Sequence, residues 1–399
     1  MNEKRKNFCK DCGETSIYHI QTWLEEIIGR FISSRLVPKW FELFLDVALE
    51  KIFIFSGLIS AQDNFDYSDF QPRSACVIAE LRKRGVKIKA LRGPFGYTSH
   101  FRAEAGGKVA RFASLPTADF ASKRVAWLAE DKAQTKDRLK KGGFPIAEGR
   151  SFYFWQKKNA MQYGVKELGF PLVVKPRGGS VSRHVSTNIR DPNALEKAIA
   201  KAVAYSPAFV IERFIYGADV YRATVVDFNV AGCVRQVPAN VVGDGVSTIR
   251  ALINEKNSNP ARGEPHQKEY VLNKIVQNET TKKLLNEKKY NFSSVPKLGE
   301  VVFLQNDPFI KLGGDLAEMT GETHPDNLKL FSEAAKFFDM RVAGIDFMAE
   351  DISRSYKEQR CAVLELNSVP CIEFHHFPSS GSPQNVAGAV ADLFFKYYL

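Results

Sequence analysis

Val173-Val174-Lys175-Pro176-Arg177-Gly178-Gly179-Ser180-Val181-Ser182-Arg183 decides how this chain is read. With Phe170-Pro171-Leu172 before it, the stretch reads as a strand, Phe170–Lys175, that ends on a lysine. A loop rich in glycine, N–H groups and hydroxyls follows. Such a loop closes over phosphate oxygens, and a lysine at the strand end is a fixed point charge beside it. A plain Gly-Gly-Ser turn fits the same few residues, so the surrounding sequence has to decide.

Working outward, Asp131 is an N-cap for a helix over 132–141, stopped by Gly142-Gly143 with Pro145 beyond. Asp191-Pro192 opens another helix, to about Tyr205. Phe209–Glu212 and Tyr221–Phe228 read as strands, Pro325–Met340 as a helix, and Arg341–Ala349 and Cys361–Leu366 as strands. The polar, Lys/Asn/Glu-rich 254–298 stretch reads as a mobile insertion. Upstream, Ile52–Phe55 reads as a buried strand, Ala75–Lys83 as a helix stopped at Gly85, and Val86–Leu91 as an alternating strand, giving a small open α/β layer. In 16–35, Ile17, Ile20, Leu24, Ile27, Ile28 and Phe31 share one helical face, to be packed on the protein's own core or, failing that, on a partner or membrane surface.

Composition narrows the class. The 399 residues suit two or three domains, and 44% hydrophobic with 25% charged residues excludes disordered, collagenous and disulfide-scaffold proteins. No apolar run approaches a membrane span. No apolar h-region follows the basic first ten residues, so no signal peptide is read and a reducing cytoplasm is expected. The net charge of +11 suits anionic phosphates or carboxylate substrates as well as nucleic acid. Cys9-Lys-Asp-Cys12 has zinc-knuckle spacing but is half of a four-ligand site. The P-loop, HExxH and GxSxG motifs are absent, and Gly243-Asp244-Gly245 is read as a turn.

Three further groups suit nucleotide chemistry. Glu212-Arg213-Phe214-Ile215 leads from a strand into a linker, where main-chain groups can pair with an adenine and a carboxylate with its amino group. Asp219 can take ribose hydroxyls. Glu365 and Asn367, two apart on a strand, point the same way, and Asp346 from a neighbouring strand can join them. Two carboxylates and an amide oxygen make a hard, oxygen-only site for Mg²⁺, or Mn²⁺ in its place.

In order and spacing, these residues resemble the ATP-grasp carboxylate–amine ligases, from about Asp131 to the C-terminus. The resemblance implies the ATP-grasp fold, of α/β (α+β) class, behind an open α/β pre-ATP-grasp domain and a helical N-terminal extension. It assigns ATP phosphates to Lys132, Lys175, Gly179 and Ser180, the adenine hinge to Glu212, Arg213 and Ile215, the ribose to Asp219, and Mg²⁺ to Asp346, Glu365 and Asn367. A narrower likeness is to the ATP-grasp domain of the cyanophycin synthetases and their short relatives. It rests on Gln236–Ala239, Val242–Arg250, Asn259–His266, Leu312–Gly314 and His324–Asn327. His184 stands where a small residue is usual in the phosphate loop, and Lys311 where a small hydroxyl residue is common.

The domain reading is 1–47 helical extension, 48–130 pre-ATP-grasp domain, 131–211 small lobe with the glycine-rich lid, and 212–399 C-terminal lobe. The expected chemistry is amide formation between amino acids or short peptides through an acyl phosphate, releasing ADP and phosphate. Arg222 and Arg235 would hold the phosphate and His266 would take the amine's proton, while a surface loop histidine is the alternative for His266. His375 and His376 are expected to shape the substrate pocket. The 399 residues hold no Mur-ligase-like second ATPase domain, so single additions are expected rather than polymer. Membrane and nucleic-acid partners are not expected, and a homo-oligomer is left open. The competing reading is an inactive ATP-binding module for regulation, RNA or a partner; retention of all three metal ligands argues against it.

Overall fold

The structure, a computed structural model, describes residues 9, 19–20, 22–24, 52–53, 55–117, 131–178 and 184–399. The chain divides into two compact units. One is built from 1–39, 121–218 and 360–367, the other from 40–120, 219–359 and 368–399.

In the first unit, four antiparallel strands lie in the order Gly149–Tyr153, Ala208–Arg213, Leu172–Pro176, Ser186–Ile189. The period-2 pattern sorts their side chains. Leu172, Val174, Phe209 and Ile211 turn to one face, where Leu195, Ile199 and Ala202 of the Pro192–Val203 helix cover them. Val173, Lys175, Val210 and Glu212 fall on the opposite face. The Asp131 carboxylate accepts from the Ala133 and Gln134 N–H groups and caps the Lys132–Lys141 helix, which Gly143 ends at φ +74°. That helix packs on the Cys361–Asn367 strand. At the N-terminus, residues 19–20 and 22–24 are helical. Of the expected apolar face, Ile20 and Leu24 are exposed, while Trp23 donates to the Val203 carbonyl at 3.2 Å. Ile17, Ile27, Ile28 and Phe31 lie outside the described residues.

The second unit carries two larger sheets. Ser60–Gln62, Lys87–Gly93, Gly96–Ala105 and Lys108–Ala113 form an antiparallel sheet in chain order. The Pro72–Lys83 and Val386–Tyr398 helices bury Val77, Ile78, Leu81, Val390 and Phe394 with it. Two expectations are corrected here. Ile52, Phe53 and Phe55 are helical and exposed, Phe55 at 95%, rather than a buried strand. A four-residue apolar run has no period with which to separate strand from helix. The strand–helix–strand order does hold, from Ser60–Gln62 through Pro72–Lys83 to Lys87–Gly93, but these two strands pair antiparallel and the layer continues as hairpins. Its last hairpin turns on Gly106-Gly107, both at positive φ, the conformation a two-residue hairpin loop demands.

The other sheet runs Asp315–Glu318, Asn229–Val237, Asp219–Val226, Val342–Ala349, all antiparallel. Beyond it, the 254–298 stretch is more than a bare loop. It contributes Ile275 and Leu285 to a small core with Val241, Ile249, Leu252, Ile253, Val302 and Leu304. The Asp244 carboxylate accepts from the Val246 and Ser247 N–H groups and Gly245 sits at φ +79°, so Gly243–Gly245 is a turn as read. Among the described residues, no helix is long and apolar enough to cross a membrane.

Candidate active site

In the first unit, lysines converge on one carboxylate. Lys175 and Glu212 share a face of adjacent strands, and Lys136 reaches the same glutamate from the Lys132–Lys141 helix. Each lysine Nζ lies 2.7 Å from one Glu212 oxygen. Burial pushes the Glu212 carboxyl up, but Lys175 and Lys136 override it and hold the group below the ordinary glutamate value. Burial likewise draws Lys136 below the usual lysine value against the pull of Glu212. Lys132, one helical turn before Lys136, is 3.9 Å from a Glu365 oxygen. Burial lowers its pKa, Glu365 opposes that, and the Lys175 charge adds to the lowering.

The remaining expected residues of this unit divide. Asn367 donates to Glu365 at 3.3 Å, so these two do share a face of their strand. Ala208–Arg213 is an inner strand; the Arg213 N–H donates to the Glu148 carbonyl and the Phe214 N–H to Pro171, so the linker proper starts at Ile215. The Arg213 guanidinium meets Glu148 at 2.9 Å on the surface, where such a pair is worth little. Gly179 and Ser180 lie outside the described residues.

In the second unit, Arg222 and Asp346 stand opposite each other on neighbouring strands and form a bidentate pair, with Nη2 to Oδ2 at 2.7 Å. A residue expected on phosphate is thus joined to one expected on metal. Arg235 Nη1 meets Asp219 Oδ2 at 3.2 Å, half exposed. His266 is exposed on its loop. Its motif does structural work through Arg262, which is buried, donates to the Asn273 carbonyl at 2.7 Å and pairs with Asp315. Lys256 completes that network at 2.6 Å from Asp315.

His375 is fully buried, with Nε2 2.8 Å from the Thr224 hydroxyl and Nδ1 3.3 Å from Glu318. His376 Nε2 accepts from the Ala387 N–H at 3.0 Å, at the start of the last helix. Both histidines are therefore tied into the unit's own packing, His375 through buried polar contacts and His376 through a helix end.

Sequence reasoning missed two groups. Lys136 was signalled by its i,i+4 spacing from Lys132, which puts both on one helix face. Glu373 had no such signal. It is buried, its Oε2 has no hydrogen-bond partner among the described residues, and burial pushes its pKa up against the pull of Arg73.

No family model matches the chain. The structure resembles that of a bifunctional glutathione synthetase from Pasteurella multocida, with TM-score 0.63 and 22% identity over 83% of this chain and 45% of that one, so the fold is ATP-grasp. In sequence the chain is 34% identical over 330 residues to a cyanophycin synthetase of Trichormus variabilis, covering 81% of this chain and 35% of that protein. It is 27% identical over 334 residues to a glutathione biosynthesis bifunctional protein of Clostridium perfringens, covering 83% and 42%. The chain belongs to the ATP-grasp carboxylate–amine ligase family and is related to the cyanophycin synthetases. It spans about a third of the length of the cyanophycin synthetases that it matches.

Proposed function

We propose that this chain is an ADP-forming ligase that joins a carboxylate to an amine between amino acids or short peptides, through an acyl phosphate. The observation that supports it most is the buried cation excess of the first unit. Lys136 and Lys175 share the single Glu212 carboxylate, so two buried ammonium groups stand against one counterion there. Polyphosphate oxygens suit that excess, because charge-assisted hydrogen bonds are strongest where water is kept out. ATP would supply the phosphoryl group, and Mg²⁺ or Mn²⁺ would neutralise its oxygens, on Glu365 and Asn367 with Asp346 as the third ligand that the sequence assigns.

The chain's own residues would then do four things. Lys132 and Lys175 fix the phosphates, with the 178–184 loop as the cover. Ile215 and Asp219 orient the nucleoside. Arg222 and Arg235 meet the developing charge, each having to exchange its present carboxylate for substrate oxygens. The amine's proton goes to His266, or to the buried Glu373 carboxyl, which burial pushes up from its ordinary value.

The test is nucleotide product analysis. ATP is incubated with the chain, Mg²⁺ and pools of amino acids and dipeptides, and nucleotides are separated by chromatography while products are read by mass spectrometry. ADP release that depends on a pool, with a new amide of matching mass, is the expected result. AMP and pyrophosphate instead of ADP would overturn the phosphoryl-transfer reading.

A further inference from the structure

Cys9, His19 and His184 are far apart in sequence, and one of them directly follows the glycine-rich loop. Their donor atoms all lie within 4.8 Å of one another. Cys9 Sγ is 3.5 Å from His184 Nε2. The two imidazole rings meet edge-on, 5.1 Å between centroids. Atoms bound to one tetrahedral zinc are separated by about 3.3–3.8 Å, as bond lengths of about 2.0–2.3 Å require. The cluster is therefore close to ligating geometry.

The surroundings of His184 select its ligating nitrogen. Nδ1 is 2.9 Å from the Lys201 carbonyl, near the end of the Pro192–Val203 helix. A carbonyl only accepts, so Nδ1 carries the proton and Nε2 keeps its lone pair toward Cys9. A backbone carbonyl on the far nitrogen is the usual support of a metal-bound histidine. Tyr205, itself buried, stacks on the His184 ring at 5.0 Å and meets His19 edge-on at 5.5 Å, which gives the group an aromatic wall.

We propose that Cys9, His19 and His184 bind a zinc ion. One thiolate and two imidazoles are borderline-soft donors that suit zinc better than magnesium or calcium. Binding requires the Cys9 thiol to give up its proton, so it releases one proton per ion. The ion ties the N-terminal segment to the residue that ends the glycine-rich loop. Cys12, three residues from Cys9 in sequence, lies outside the described residues.

The test uses the untagged full-length chain, produced with zinc in the medium and dialysed against buffer. Mass-spectrometric elemental analysis should find about one zinc per chain. Cys9→Ser and His19→Gln, at positions that are not fully buried, should each weaken zinc retention by about tenfold or more with unchanged far-UV circular dichroism. His184→Asn should do the same, and if it fails to fold the other two variants decide. Cobalt(II) in place of zinc should give a thiolate-to-metal charge-transfer band that Cys9→Ser loses. A dialysed wild-type chain without metal and without that band overturns the proposal. So does zinc retained equally by Cys9→Ser, and copper held in preference to zinc overturns the choice of metal.

Discussion

Replacing Glu212 by Gln isolates the charge at the centre of the lysine cluster. Glu212 is 6% exposed, and each of its oxygens takes a lysine ammonium at 2.7 Å. Gln keeps the shape and removes the charge, so Lys136 and Lys175 face each other without their counterion. Removing one partner of a buried ion pair costs about 3–5 kcal/mol. The protein has one escape, which is to deprotonate a lysine. From an ordinary pKa of about 10.4, that costs about 4.6 kcal/mol at pH 7, at 1.36 kcal/mol per pH unit. The expected loss of stability at pH 7 is therefore about 3–4.5 kcal/mol.

The escape route fixes the pH dependence. At pH 9 deprotonation costs only about 1.9 kcal/mol. The folded variant then binds fewer protons than its unfolded chain, so its stability rises with pH. Urea unfolding followed by circular dichroism at pH 7, 8 and 9 should show the gap between wild type and Glu212→Gln narrowing. A gap under about 1 kcal/mol at pH 7, the value of an exposed pair, or a gap of constant size across that range, would refute the argument that this cluster is a charge-compensated site.

Other perturbations address other links. Glu365→Gln should leave the circular dichroism unchanged and lower ADP release by at least the about hundredfold typical of damage around a metal; wild-type release would remove Glu365 from the site. Asp219→Ala should weaken ATP binding in calorimetry by about 1–3 kcal/mol if the carboxylate accepts the ribose hydroxyls, and an unchanged affinity would leave it as a partner of Arg235 alone. Gly232→Ala places a Cβ 2.5 Å from the buried His375 ring, so thermal unfolding should show a loss of about 1–3 kcal/mol. Unchanged stability there would mean that His375 is free to move.

What was legible in the sequence is what local chemistry dictates. Asp131 as a cap, Gly143 as a stop and Asp191-Pro192 as a helix start are each decided within a few residues, and each stands in the structure. Phe170–Lys175 was legible as a strand ending on a lysine, and the structure has a strand at Leu172–Pro176. That Lys175 lies off the core face is seen only in the structure, because Leu172-Val173-Val174 is apolar throughout. Ile52–Phe55 failed because four apolar residues carry no period. The Gly106-Gly107 hairpin was available to the same local rules and went unread. The partners of the site residues were of another kind. Glu212 meets Lys175 only because two strands far apart in sequence pair in one register, and Lys136 reaches it only from a helix outside that sheet.

The pairings that result share one logic. Glu212 with two lysines and Arg222 with Asp346 each join residues that function alone would assign to different ligands. A low-dielectric site cannot hold such charges singly, because each would carry a desolvation cost of several kcal/mol. Opposite charges placed for substrate, metal and phosphate are therefore also placed for one another. Reading roles from sequence finds the members of such a set and misses its internal bonds. Under the proposed function, ligand binding would be an exchange of partners. A phosphate at Lys175 would compete with Glu212, and a cation at Asp346 would compete with Arg222 and leave that guanidinium to turn to phosphate. Both of these sets are buried and little screened by salt, whereas the half-exposed Arg235–Asp219 pair is screened.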